Sequence, residues 1–192
     1  NDAPIRRGMR TPLENPADTV AGLAATGAPR LVLVSGPRGA GKTTWCSHLV
    51  HEARERGVAV AGVLSPHALD DDGARLAIDL VDISTGEQRR IAVRDDASAP
   101  QAAGLPRPWW TFDEDALAWG EAVLGRVDGT EVLVVDELGV LEFRHGAGLV
   151  SGLRLVGEGR YRIACVVIRP ELLDLASARW PWAEVRWAGD GS

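Results

Sequence analysis

Cysteine is scarce in this 192-residue chain: Cys46 and Cys165 are the only two. They lie far apart, in neither a CxxC nor a zinc spacing. That argues against a disulfide framework and a structural zinc, and suits a reducing compartment. Positive charge is also short: 21 Lys and Arg face 27 Asp and Glu, a formal net charge of −6. Proteins whose main partner is a nucleic-acid backbone concentrate positive charge, so this balance argues against one. No apolar run approaches the roughly 20 residues that span a bilayer. The polar segment 1–10 carries no apolar stretch of a secretion signal. The expectation is a cytoplasmic protein with no membrane partner. His48, His51, His67 and His145 make no metal spacing and read as surface residues.

What the chain does contain is ordinary for a globular protein: 45% hydrophobic and 25% charged residues. Its length fits one domain that buries roughly 70% of its unfolded surface. Residues 1–29, rich in Pro, Gly, Ala and Thr, read as a leader that is partly flexible, with a short helix at 18–25 and an Arg6, Arg7, Arg10 cluster. A single domain follows over 30–189. Leu31-Val32-Leu33-Val34 is a continuous apolar run, as expected of a strand buried on both faces of a parallel sheet. A glycine loop, a helix at 43–56 and a second strand at 58–64 complete a βαβ unit. Then the pattern changes. The near-alternation LAIDLVDI at 76–83, the turn Ser84-Thr85-Gly86-Glu87 and a strand at 88–93 predict an antiparallel hairpin beside the main sheet. Asp70-Asp71-Asp72-Gly73 reads as the turn leading into it, without the alternating spacing of a calcium loop. After a proline-rich loop at 94–108, Asp113 is placed to cap a helix reaching about residue 126, with Ala116, Leu117, Val123 and Leu124 buried. Strands are expected at 131–135, 161–168 and 183–187.

Gly36-Pro37-Arg38-Gly39-Ala40-Gly41-Lys42-Thr43 satisfies GxxxxGK[ST]. Chance supplies such a match in a chain of this length about 1% of the time at average composition. The glycines let successive backbone N–H groups curl around an anion, and the loop runs into a helix N-terminus that favours phosphate. Lys42 reaches toward the β- and γ-phosphates and the Thr43 hydroxyl toward Mg²⁺. Thr44 closes the binding segment. The second element is Val132-Leu133-Val134-Val135-Asp136-Glu137, a buried strand that delivers Asp136 to the Mg²⁺ shell. Glu137, beside it, is positioned to accept a proton from water attacking the γ-phosphate. A further cation usually balances the transferred phosphoryl group. Arg38, inside the loop, either covers the γ-phosphate or faces solvent. Arg144 and Arg169 are the other candidates, Arg169 at the carboxyl edge where ligands sit in open α/β sheets.

With these residues in place, the chain resembles the small nucleoside-triphosphatase family of the THEP type, also called cancer-related nucleoside-triphosphatase. That family pairs a GPPGVGKTT loop with a DEIGKMEL motif; here they read GPRGAGKTT from Gly36 to Thr44 and DELGVLEF from Asp136 to Phe143. Val60-Ala61-Gly62-Val63-Leu64-Ser65, the hairpin around Ile78-Asp79-Leu80-Val81 and Thr85-Gly86-Glu87, and Trp109-Trp110-Thr111-Phe112 are similar to the family's second strand, hairpin and short strand. The resemblance covers about 31–187. It implies a three-layer α/β P-loop NTPase fold, with a RecA-like, mostly parallel sheet and an inserted antiparallel hairpin. It also implies Mg²⁺-dependent hydrolysis of ATP, GTP and other nucleoside triphosphates with broad base tolerance. Three positions depart from the pattern. The lysine of DEIGKMEL is Val140, the acidic and arginine-rich segment after the second strand is replaced by Pro66-His67-Ala68-Leu69-Asp70, and the hairpin has Arg75-Leu76-Ala77 where the family has an arginine followed by a glycine-containing step. These bear on turnover and substrate range more than on binding.

The chain has seven tryptophans, and six of them bear on this reading. Trp45 reads as core, and of Trp109 and Trp110 at most one faces a site. Trp180, Trp182 and Trp187 near the last strand read as core or as stacking faces for a base. Two other functions stay open. A small P-loop kinase would need an arginine-rich lid, and the 94–107 loop has arginines only at its ends. A nucleotide-gated switch with little turnover fits the loss of the lysine at Val140.

Overall fold

The structure, a computed structural model, describes residues 10–25, 27–95 and 110–189. Arg6, Arg7, Trp109 and most of the proline-rich loop lie outside the described residues. The elements run α1 (Pro16–Ala21), β1 (Arg30–Ser35), α2 (Lys42–Glu55), β2 (Val60–Leu64), β3 (His67–Leu69), β4 (Arg75–Asp82), β5 (Gln88–Arg94) and β6 (Trp110–Phe112). They continue with α3 (Glu114–Gly125), β7 (Val132–Leu138), α4 (Val150–Glu158), β8 (Ile163–Ile168), α5 (Leu173–Arg179) and β9 (Glu184–Trp187).

One sheet carries all the strands in the order β6-β5-β4-β2-β7-β8-β1-β9, with β3 pairing β4 off this path. From β2 to β9 the pairing is parallel. From β2 outward through β4, β5 and β6 it is antiparallel. The parallel strands are buried on both faces: every residue of β8 is buried, and all of β1 except Arg30. Each face has its own core. Val32, Val34, Val134 and Cys165 pack under Leu49, Val50 and Ala53 of α2 and Val20 of α1. Leu31, Leu33, Val135 and Val166 pack under α3, α4 and α5 through Val123, Leu153 and Ala176. This is the three-layer α/β architecture, mostly parallel with an antiparallel hairpin.

Local chemistry accounts for the element ends. Asp113 caps α3, its Oδ1 accepting from the Ala116 N–H at 2.9 Å. Three elements were not expected: β3, α4 and α5. Both β3 and α5 are short, and α4 carries Gly152 and Gly157, which mask its helical pattern. Packing demands the first of these, because a Cβ at Gly152 would lie 3.0 Å from Leu138 and 3.3 Å from Val135.

The described part of the segment read as a leader is packed. Val20 and Leu23 are buried. Trp187 N–H donates to Thr11 O at 2.8 Å, and Leu13 N–H donates to Trp187 O at 3.1 Å. Trp45 Nε1 donates to Glu14 O at 2.7 Å, and the Arg10 guanidinium sits 3.8 Å over the Trp187 ring.

Candidate functional site

The loop between β1 and α2 is shaped by its glycines and by what lies behind it. Gly36 has φ +147, and a Cβ there would come within 2.4 Å of Ala188 O. The phosphate loop therefore rests on the chain leaving β9, and only glycine fits at the contact. Gly41, at φ +79, turns the chain into α2. Lys42 Nζ donates to the carbonyls of Gly36 (2.9 Å) and Pro37 (2.8 Å) of its own loop. Burial lowers the Lys42 pKa, while Glu137 and Asp136 oppose the shift.

At the end of β7, Asp136 is 2% exposed. Its Oδ2 accepts from the Ser65 N–H at 3.2 Å, the Thr43 side chain hydrogen-bonds to it, and Ser65 Oγ donates to its backbone carbonyl. Burial pushes its pKa from 3.8 up to about 7, against the pull of the Ser65 and Thr43 hydrogen bonds. Residues 43 and 136 thus meet although 93 positions separate them, and Ser65 joins them from the end of β2. Ser65 had only been seen as the last residue of a strand. The neighbouring Glu137 is partly exposed and ion-paired through Oε1 to Arg169 Nε, just beyond β8.

Glu142, also missed as a site residue, is buried on the π-helical turn Leu141–His145. It accepts from the N–H groups of Gly139 (2.7 Å) and Leu149 (2.8 Å), tying down the loop that follows Glu137. The position matches the second Glu of the DELGVLEF segment, which was the available signal. Val140 is 40% exposed, and Arg144 lies exposed on the same turn.

The antiparallel wing contributes two groups. His67 is half-buried, edge-on to the Trp110 ring at 6.4 Å between centroids. Burial, followed by repulsion from Arg75, Arg38 and Arg169, pulls its pKa down to about 4. The reading of His67 as a surface residue is thereby corrected. Arg75 also has its pKa lowered, chiefly by burial and then by Arg38, with Glu137 acting in the opposite sense and Arg169 in the same one. Arg38, Arg75, Arg169, His67 and Glu137 therefore share one electrostatic field.

The tryptophans sort by strand direction. β9 runs parallel to β1, with Ser35 opposite Trp187 and Val32 opposite Glu184. Trp182, 55% exposed, thus sits at the amino edge of the sheet, away from the phosphate loop. Trp187 is at the carboxyl edge but buried, and Trp180 is core, edge-on to Phe143 at 5.8 Å. None of the three offers an open face beside the loop.

Among the described residues no group of three or more His, Cys, Asp or Glu could hold a metal by itself. A buried carboxylate in contact with a threonine hydroxyl is nonetheless a hard-oxygen pair that suits Mg²⁺. That ion usually takes few protein ligands and completes its shell with water and phosphate oxygens.

No helix among the described residues is long and apolar enough to cross a membrane. A sequence profile of the NTPase family matches residues 31–168. The nucleoside-triphosphatase THEP1 of Methanopyrus kandleri is 29% identical over 155 residues, 79% of this chain and 82% of that protein. THEP1 of Caldivirga maquilingensis is 29% identical over 132 residues, 69% and 72% of the two chains. Among solved structures, the human cancer-related nucleoside triphosphatase aligns with a TM-score of 0.58 at 22% identity, covering 82% of this chain and 87% of that one. THEP1 from Aquifex aeolicus aligns at 0.55 and 14%, with the same coverage. These two show a shared fold. The family match runs from β1 to β8 and takes in the phosphate loop, the wing, Asp136 and Glu137; the chain belongs to the NTPase family, a nucleoside-triphosphatase.

Proposed function

We propose that the protein hydrolyses several nucleoside triphosphates to diphosphate and phosphate, with Mg²⁺ and little regard for the base. The observation that carries this reading is the buried Asp136 held against Thr43, with the carboxylate of Glu137 next in the chain. The N–H groups of residues 36–44 and the Lys42 ammonium hold the β- and γ-phosphates. Thr43 and Asp136 would hold the Mg²⁺, which supplies neutralisation of the phosphate oxygens. Glu137 takes a proton from a water molecule as the water oxygen bonds to the γ-phosphorus. The bond from that phosphorus to the β–γ bridging oxygen breaks, and the diphosphate leaves with the electron pair. To act in this way, Glu137 exchanges Arg169 for water, and Arg169 and Arg38 are then free to balance the charge on the phosphoryl oxygens. Broad base tolerance is supported by the groups gathered at the site, which address phosphates, the part common to every nucleotide.

A switch with little turnover is the second reading. It is favoured by the ion pair that engages Glu137 and by Val140 in place of the family lysine. Phosphate release from ATP, GTP, CTP and UTP, with and without Mg²⁺, separates the two. We expect release from several of them. Glu137→Gln should lower kcat roughly 10²- to 10⁴-fold while nucleotide still binds, and Lys42→Ala should weaken binding itself. Tight binding with no release above the Lys42→Ala background would overturn hydrolysis in favour of the switch.

A further inference from the structure

The wing overhangs the phosphate edge. β4 leaves its pairing with β2 at Val81, opposite Leu64, which is the carboxyl end of β2. Because β4 is antiparallel, its earlier residues continue past that edge. Arg75, six positions before Val81, lies roughly 20 Å of strand beyond it at about 3.3 Å per residue.

The overhang is braced. β3 pairs along it, His67 opposite Ile78 and Leu69 opposite Arg75. Asp79 N–H donates to Pro66 O at 2.9 Å, and Asp70 N–H donates to Ala74 O at 2.8 Å. The Asp70 carboxylate accepts from the N–H groups of Asp72 (3.1 Å) and Ala74 (2.7 Å), and Arg94 Nη1 donates to Arg75 O at 3.2 Å. Arg75 is thus held by a closed hairpin rather than a free loop.

Arg75 lies within electrostatic reach of the Glu137 carboxylate and of two other guanidinium groups, Arg38 and Arg169, and Arg169 already forms the ion pair with Glu137. Arg38 is exposed, whereas Arg75 is partly buried beside these like charges, an arrangement that an anion joining it would relieve. Lys42 reaches the β- and γ-phosphates from the loop itself and also feels Glu137 and Asp136. Arg75 answers to the Glu137 side, where the terminal phosphate of a bound triphosphate stands.

We propose that Arg75, carried over the phosphate loop by the overhang of β4, contacts the γ-phosphate and makes the site select triphosphate over diphosphate. This inference rests on the hydrolase reading above. It supplies in cis, from the wing, a cation at the terminal phosphate of a chain that has Val140 where the family motif has lysine.

The test measures binding of MgATP and MgADP by calorimetry, together with phosphate release from ATP, for wild type, Arg75→Ala and Arg75→Lys. Arg75→Ala should lose roughly 10- to 100-fold in ATP affinity, the loss of a charge-assisted contact, with ADP affinity within about twofold of wild type. Phosphate release at saturating ATP should fall by at least as much, and Arg75→Lys should restore part of both. The melting temperature of the ligand-free Arg75→Ala protein should not drop, since among the described residues the Arg75 side chain forms no ion pair. An equal loss for ATP and ADP, or phosphate release within twofold of wild type, would overturn the assignment of Arg75 alone. Failure of the wild type to bind MgATP would overturn both this assignment and the hydrolase reading.

Discussion

The two halves of the sheet solve different problems. The parallel half, β2-β7-β8-β1-β9, is a rigid block whose central strands are buried throughout, and it brings the phosphate loop, Asp136 and Glu137 to one edge. The antiparallel wing, β3 to β6, is half-solvated. Gln88, Arg89 and Arg90 of β5 are exposed, as are Leu69, Leu76, Val93 and Phe112. It supplies His67 and Arg75 from outside the block. Asp136 sits where packing is tightest, whereas Arg75 and His67 sit in the half-solvated wing. The comparison predicts that the same kind of substitution has very different consequences in the two halves.

The largest effect is expected at Gly62, in β2. Its φ is +120, and a Cβ would come 1.9 Å from Val134 O in the backbone of β7. No side chain can swing aside there, so the strands themselves must part. Gly62→Ala should cost on the order of 4 kcal/mol in urea denaturation and carry Ser65 away from Asp136. A loss under 1 kcal/mol would mean that the parallel block yields far more readily than its burial implies.

The parallel block was the more legible half. Continuous apolar runs and a glycine loop before a helix are local signals, and β1, α2, β2, β7, β8 and β9 were expected; in the wing, the hairpin of β4 and β5 was expected from its alternation and its turn residues. The pairing of Thr43 with Asp136 was readable across 93 positions because each residue sits in its own recognisable motif. His67 and Arg75 were not readable as site residues. Their place depends on how far β4 runs past the end of β2, a register that no local pattern records. Trp182 is the converse case. Near the last strand in sequence, it lies at the wrong edge because β9 runs parallel to β1. Gly152 hid α4, since the glycine that the packing requires weakens the helical pattern.

At the boundary between the halves, Asp136 offers a smaller, pH-dependent test. Its folded-state pKa is raised from 3.8 to about 7 by burial. The stability associated with the protonated form is fully present below about pH 4 and is lost as pH rises toward 7. In chelator, without nucleotide, Asp136→Asn should therefore be more stable than wild type at pH 8, by less than the roughly 4 kcal/mol that a rise in pKa from 3.8 to about 7 carries, and the advantage should shrink to near zero at pH 4. His67 runs in the opposite direction. Its pKa is depressed to about 4, so its contribution is present above 6.5 and lost as pH falls. The difference between Asp136→Asn and wild type cancels that term. A difference independent of pH would mean that Asp136 is not desolvated.

The smallest effect belongs to the wing's turn. Gly86, at φ +78, sits between β4 and β5; its N–H donates to Asp82 O at 2.8 Å, and Asp82 N–H donates to Glu87 O at 2.9 Å. No atom lies within 4 Å of a Cβ placed there. Gly86→Ala therefore meets only the left-handed backbone penalty, about 1–2 kcal/mol. Phosphate release should be unaffected, because Gly86 is at the far end of β4 from Arg75 and the braced stretch 67–79 stays closed. Gly62 and Gly86 share a positive φ and differ in what stands opposite the missing Cβ. A Gly86→Ala loss as large as that of Gly62→Ala would assign the cost of both to φ alone and erase the distinction between block and wing.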